Sequence, residues 1–181
     1  LSVMDSNINL ETIELSEVKP KYCDGCLSCY RNGKCHIQDD GMEEISQRIS
    51  ECDGLVFASP TYGSSVTGLF KTFIDRGHFL VEQILQNKPC AILTTYENAQ
   101  GNSAVSFMNQ LVMTSGGYSV GNIAAKVEFN KNPVTQRIEK KLDKTAHRPY
   151  TAMQRGSHFK PVFPKLFNSV AFNVVLKPRA M

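Results

Sequence analysis

Two short runs constrain this chain more than any other feature. Gly54-Leu55-Val56-Phe57-Ala58-Ser59, stopped by Pro60, and Cys90-Ala91-Ile92-Leu93-Thr94-Thr95 are apolar without the alternation of a half-exposed strand. A strand apolar on both faces is what a parallel, helix-covered sheet requires. Around these runs the period is helical. Met42, Ile45, Ile49 and Cys52 form one stripe, and Val66, Leu69, Phe70, Phe73 and Ile74 predict a helix continuing to about residue 86. Val105, Met108, Leu111 and Val112 form another, closed by Gly116-Gly117. Tyr118 to Ala124 reads as a further strand, and Pro133 followed by Val134, Ile138 and Leu142 opens a last helix. Strands alternating with helices give an α/β doubly wound parallel sheet. Upstream, Glu11-Thr12-Ile13-Glu14-Leu15 alternates as a half-exposed strand, and Asp40 with Glu43 reads as a capping box.

A chain of 181 residues suits one such domain. No apolar run approaches the ~18 residues of a membrane-spanning helix, and Leu1-Ser2-Val3-Met4 lacks the basic and apolar regions of a signal peptide. Charge is unevenly distributed. Residues 1–125 hold 8 Lys/Arg against 14 Asp/Glu, and residues 126–181 hold 12 against 3. Such polarity suits an anionic partner, or a basic tail covering an acidic body in the same chain or a neighbour; we favour the tail. The expected division is a domain over residues 1–146 and a basic arm over 147–181, with a short amphipathic helix near 165–176. The apolar series Leu166, Phe167, Val170, Ala171 and Val174 points to packing across a homodimer or homotetramer rather than to nucleic acid.

Four of the six cysteines fall within thirteen residues, at Cys23, Cys26, Cys29 and Cys35. Cys52 and Cys90 stand alone in apolar contexts and read as core thiols. A chain able to bury an ordinary core has no need of a disulfide scaffold, which suggests a reducing, cytoplasmic setting. In open α/β sheets ligands bind beyond the carboxyl ends of the strands. Two polar, tyrosine-bearing segments occupy such positions: 59–65, with Tyr62 as a stacking surface, and 94–102, with Tyr96. Each also reads as a plain strand-to-helix turn, the first with Ser65 as N-cap.

The stretch Ser59-Pro60-Thr61-Tyr62-Gly63-Ser64-Ser65-Val66-Thr67-Gly68-Leu69-Phe70-Lys71-Thr72-Phe73-Ile74-Asp75-Arg76 resembles the signature of flavodoxin-like NAD(P)H-dependent FMN reductases. The Cys-x-x-Cys-x-x-Cys-x5-Cys block followed by Asp39-Asp40 resembles their iron–sulfur flavoprotein branch. The likeness runs over roughly residues 10–140. It implies FMN held by Pro60, Thr61, Tyr62, Gly63 and Ser64 from one loop and Thr94, Thr95, Tyr96, Glu97 and Gly101 from the other. It also implies NAD(P)H as electron donor and a small-molecule or protein acceptor. Backbone amides near 61–64 and 95–97 would face the flavin edge. No side chain need act as acid or base, so none is named catalytic. The family pattern also places a first strand and a Gly-Ser-Pro-Arg-like phosphate loop ahead of a first helix. Leu1 to Met4 reads as the end of that helix, so strand and loop are expected outside this sequence.

Compact cysteine spacing of this kind wraps three corners of a [4Fe–4S] cluster, and Cys35 can supply the fourth. Four thiolates also make a closed zinc site, and four metal-free thiols packing a loop remain a third reading. His36 is a lesser candidate ligand. Asp75 and Arg76 do not face each other on a helix, and the resemblance gives them a structural role. Two alternatives to the enzyme therefore stand: a non-enzymatic electron carrier using cluster and FMN, and a metal-binding or redox-sensing interaction module using only the cysteine loop and the basic tail.

Overall fold

The computed structural model of the chain describes residues 8–77, 84–128, 130–132 and 134–154. Short helices α1 (Leu15–Val18) and α2 (Ser28–Asn32) lead into α3 (Met42–Glu51), β1 (Leu55–Pro60) and α4 (Gly68–Arg76). β2 (Pro89–Tyr96), α5 (Gly101–Thr114), β3 (Tyr118–Lys126) and α6 (Gln136–Gln154) follow. The strands lie side by side in the order β1-β2-β3, all parallel, with Leu55 opposite Cys90 and Leu93 opposite Ile123. This is the expected helix-covered parallel sheet, with α5 and α6 both packed on β2 and β3.

β2 lies at the centre, and Cys90 and Ile92 are fully buried. Around it close Leu85, Met108 and Val112, each 0% exposed, with Ile45 and Ile49 from α3 and Phe73 from α4. Phe57 of β1 meets Phe70 of α4 edge to face at 6.0 Å, a geometry worth about 1 kcal/mol beyond buried area. Lys88 donates to the carbonyls of Ser50 and Cys52, at 2.7 and 2.6 Å, and so closes the end of α3 ahead of β1.

Several expectations are corrected. Residues 11–14 are not a strand, and Leu15 opens a one-turn helix. A strand exists by its ladder, and among the described residues the outer edge of β1 has no partner strand. β1 is accordingly not buried on both faces: Phe57 and Ser59 are buried, while Val56 is 44% exposed. The cap of α3 is Gly41, in the left-handed conformation, and no side chain caps it. Asp40 still accepts from Met42 N at 3.4 Å, but its carboxylate is committed elsewhere. Thr67, not Ser65, caps α4, accepting from Phe70 N at 3.1 Å. The described part of that helix ends at Arg76. α6 begins three residues after Pro133 and runs unbroken past residue 146 to Gln154, with Pro149 inside it. The proposed helix near 165–176 lies outside the described residues. Cys90 is buried as expected, its thiol pushed up to about 12 by burial; Cys52 is only half-buried.

Candidate functional site

The carboxyl ends of β1 and β2 are joined side by side. Thr61 N donates to Thr95 O at 2.8 Å, and the hydroxyls of Thr61 and Thr94 meet at 2.9 Å. Thr94 is buried, so its hydroxyl serves this tie rather than an open surface. Beyond it the chain reverses tightly: Tyr62 N and Ser65 O, then Ser65 N and Tyr62 O, pair at 2.9 and 3.1 Å. Gly63 and Ser64 both take positive φ, 53° and 67°, which is the pairing a type I′ turn needs. Glycine adopts this freely and serine at some cost. Ser59, 5% exposed, accepts from Thr67 N at 3.1 Å and anchors the turn to the start of α4.

The result is an exposed tyrosine, Tyr62 at 67%, beside two backbone N–H groups without a partner among the described residues, those of Gly63 and Ser64. The amides of Thr61 and Tyr62, expected to be free, are used inside the loop. In the second loop Tyr96 is half-buried, and Gly101 lies buried beneath it at the first residue of α5. A Cβ on Gly101 would stand 2.3 Å from Tyr96 Cδ1 and 2.8 Å from its Cγ, so only glycine lets the ring lie there. Glu97 is exposed.

Tyr96 also lines a groove of about 450 Å³ beyond β3, with Lys126, Lys131, Arg137 and Lys141 around it and Glu128 as its one carboxylate. Glu128 is held below its usual range by Lys131, at 2.5 Å, and Lys126. Arg137 and Lys141 have no ion-pair partner among the described residues. The basic bias of the last third of the chain thus converges, in part, beside the second loop.

The cysteine loop is tied to the fold by a residue that sequence reasoning set aside. Arg76 is 3% exposed. Its Nη1 donates to Lys21 O at 2.9 Å, ahead of the loop, and its Nη2 to Ile37 O at 3.0 Å, behind it. Both nitrogens also bond Asp40, at 2.6 and 3.2 Å, in a pair whose side chains are 1% and 3% exposed. Burial alone would raise the Asp40 carboxyl, but the Lys21 N–H and the guanidinium hold it below its ordinary range. Asp39 instead pairs with Lys21 at the surface.

Within the loop, Cys23 and Cys26 are exposed and Cys29 and Cys35 half-buried, all as free thiols. Burial pushes the Cys29 thiol up, and the neighbouring Cys35 and Cys23 add to it. Cys26 is turned to His36: Sγ and Nδ1 are 3.1 Å apart, and the far ring nitrogen, Nε2, is 3.0 Å from Asp24. Asp24, Cys26 and His36 form the one group of three or more donors close enough for a single ion among the described residues. His36, rated below the thiols from sequence, is therefore in contact with one of them. No helix among the described residues is long and apolar enough to cross a membrane.

The helix-covered parallel sheet is of the flavodoxin-like class, and a flavodoxin, WrbA-like protein of Agrobacterium tumefaciens shares the fold with a TM-score of 0.50 at 17% identity over 62% of this chain and 73% of that one. An oxidoreductase of Corynebacterium diphtheriae shares the fold, with a TM-score of 0.61 at 24% identity over 82% of this chain and 78% of that one. The chain belongs to the NADPH-dependent FMN reductase family, whose model matches residues 2–131. It is 46% identical to an iron-sulfur flavoprotein of Clostridioides difficile over 96% of this chain and 77% of that protein. It is 32% identical to an iron-sulfur flavoprotein of Archaeoglobus fulgidus over 65% of this chain and 56% of that one.

Proposed function

We propose that the chain is an FMN-dependent oxidoreductase that accepts electrons from a nicotinamide dinucleotide and passes them through a metal held by the cysteine loop to an acceptor. The observation that carries this reading is the pair of joined strand ends, with free amides at Gly63 and Ser64 and an exposed Tyr62. Amides of this kind suit the polar edge of a flavin, and an aromatic surface suits its face. When bound, FMN supplies hydride acceptance and electron release; the protein supplies orientation and charge. The groove beside Tyr96 offers four cations to the phosphates of the donor. The four cysteines at 23, 26, 29 and 35 supply the donor set of an iron–sulfur cluster, and three of them interact electrostatically.

A second reading has its own observation. The Asp24, Cys26 and His36 set suits one tetrahedral ion of the zinc type. Anaerobic purification with metal analysis and a visible spectrum separates the two. About four irons per chain support the cluster, and one zinc supports the rival. NADPH and NADH oxidation with added FMN tests the enzyme. No flavin-dependent turnover with either donor, in protein that binds FMN, would leave the electron-carrier reading in its place.

A further inference from the structure

Arg76 lies at one end of α4 and the loop 60–65 precedes the other. Eight residue steps of helix, about 12 Å at 1.5 Å each, separate Gly68 from Arg76. The side chain therefore belongs to the cysteine loop and not to the flavin loops. It grips that loop on both sides, through Lys21 O and Ile37 O. One feature is unexplained by gripping. Arg76 Nε is buried and has no hydrogen-bond partner among the described residues. A buried donor left unpaired is costly and calls for a role. Asp40 pairs with this guanidinium and keeps it charged. A fixed positive charge thus stands at the neck of the loop, bonded to the carbonyls two residues ahead of Cys23 and two residues after Cys35.

We propose that Arg76 positions Cys35 and tunes the metal centre that the loop holds, its charge making a bound iron–sulfur cluster easier to reduce. Cluster potentials follow net charge and the hydrogen bonds to ligand sulfurs, and second-sphere donors orient ligands as well as tune them. Asp40 has the opposite sign at the same place, so it moderates the field that Arg76 creates. The inference rests on the cluster reading.

The test uses the full chain, purified anaerobically as wild type, Arg76→Gln, Arg76→Lys and Asp40→Asn. Iron per chain and the cluster's reduction potential by electrochemical titration are the readouts, with the melting temperature of the metal-free protein beside them. Arg76→Gln removes a positive charge and is expected to lower the potential. Asp40→Asn removes a negative one and is expected to raise it, although both lower the melting temperature. Arg76→Lys keeps the charge and is expected to stay nearer wild type than Arg76→Gln. A merely structural clamp would weaken iron retention in all variants and move both potentials the same way, or not at all, and either result overturns the proposal. If Arg76→Gln takes up no iron, the upward shift in Asp40→Asn decides. Absence of iron from the wild type refutes the cluster reading itself, and the proposal with it; iron present at an unshifted potential refutes only the tuning.

Discussion

Gly101 is where a single methyl group should separate packing from ligand binding. An added Cβ would meet Tyr96 Cδ1 at 2.3 Å, Cγ at 2.8 Å and Cε1 at 2.9 Å. Cγ is the root of the ring, so no flip relieves the contact, and the whole side chain must move. Overpacking of this kind costs about 1–3 kcal/mol. Alanine's helix propensity returns less than about 1 kcal/mol in the first turn. The expected net loss in Gly101→Ala is about 1–2 kcal/mol, or about 2–8 °C in melting temperature for a chain of this size. Tyr96 also borders the basic groove and follows Thr95 in the tied strand ends, so its displacement should weaken FMN binding as well, by about tenfold if 1.4 kcal/mol of the strain is felt there. Thermal unfolding and quenching of flavin fluorescence measure the two effects. The control is a double-mutant cycle with Tyr96→Ala, which removes the ring. In that background Gly101→Ala should be neutral or slightly stabilising. An equal loss in both backgrounds would refute the steric argument.

The remaining predictions concern charge. Asp40→Ala leaves Arg76 buried without its partner and is expected to cost about 3–5 kcal/mol by urea unfolding; because Asp40 is held below its ordinary 3.8, the wild type should shed this stabilisation as pH falls below that value. Cys90 behaves oppositely at alkaline pH. Its thiol sits near 12 when folded against 9.0 ordinarily, so the unfolded chain ionises first, and stability should fall by about 1.4 kcal/mol per unit between those values. Cys90→Ala should flatten that alkaline slope, and Cys90 should resist alkylation at neutral pH while Cys23 and Cys26 react. Arg137→Glu combined with Lys141→Glu reverses the unpaired charges of the groove and should raise the KM for NADPH at least tenfold, with kcat little changed; an unaltered KM would remove the groove from the donor site.

The fold was legible wherever burial sets the pattern. Short apolar runs such as 90–95 fit a covered parallel strand, and stripes such as Met42, Ile45 and Ile49 fit a helix face laid on a core. Legibility failed where a neighbour decides. The alternation at 11–15 is a valid strand pattern, but no ladder lies beside it among the described residues. Val56 and Ala58 are apolar yet exposed, because burial on a second face depends on what covers β1. At the start of α3, two adjacent aspartates offered a cap. Which aspartate served, and for what, was settled by a distant arginine that no local pattern contains.

The stretch 59–76 shows the same division within one motif. Its first half is readable because turns advertise themselves through small and hydroxyl residues, and those residues do build the tied strand ends. Its last residue, Arg76, looks from sequence like the polar end of an amphipathic helix. The signal that could have singled it out is the absence of any exposed position for it. Phe70, Phe73 and Arg76 recur every three residues along one face of α4, and a cation continuing an apolar stripe must bury its charge. A buried guanidinium needs an anion and carbonyls around it. The acidic pair after the cysteines supplies that anion: Asp40 accepts from both terminal nitrogens of Arg76. The helix that starts after the loop 60–65 and the loop that carries the cysteines are therefore specified together. Arg76 bonds the chain on either side of the cysteines, at Lys21 O and Ile37 O, and so sets where that loop stands on the helix.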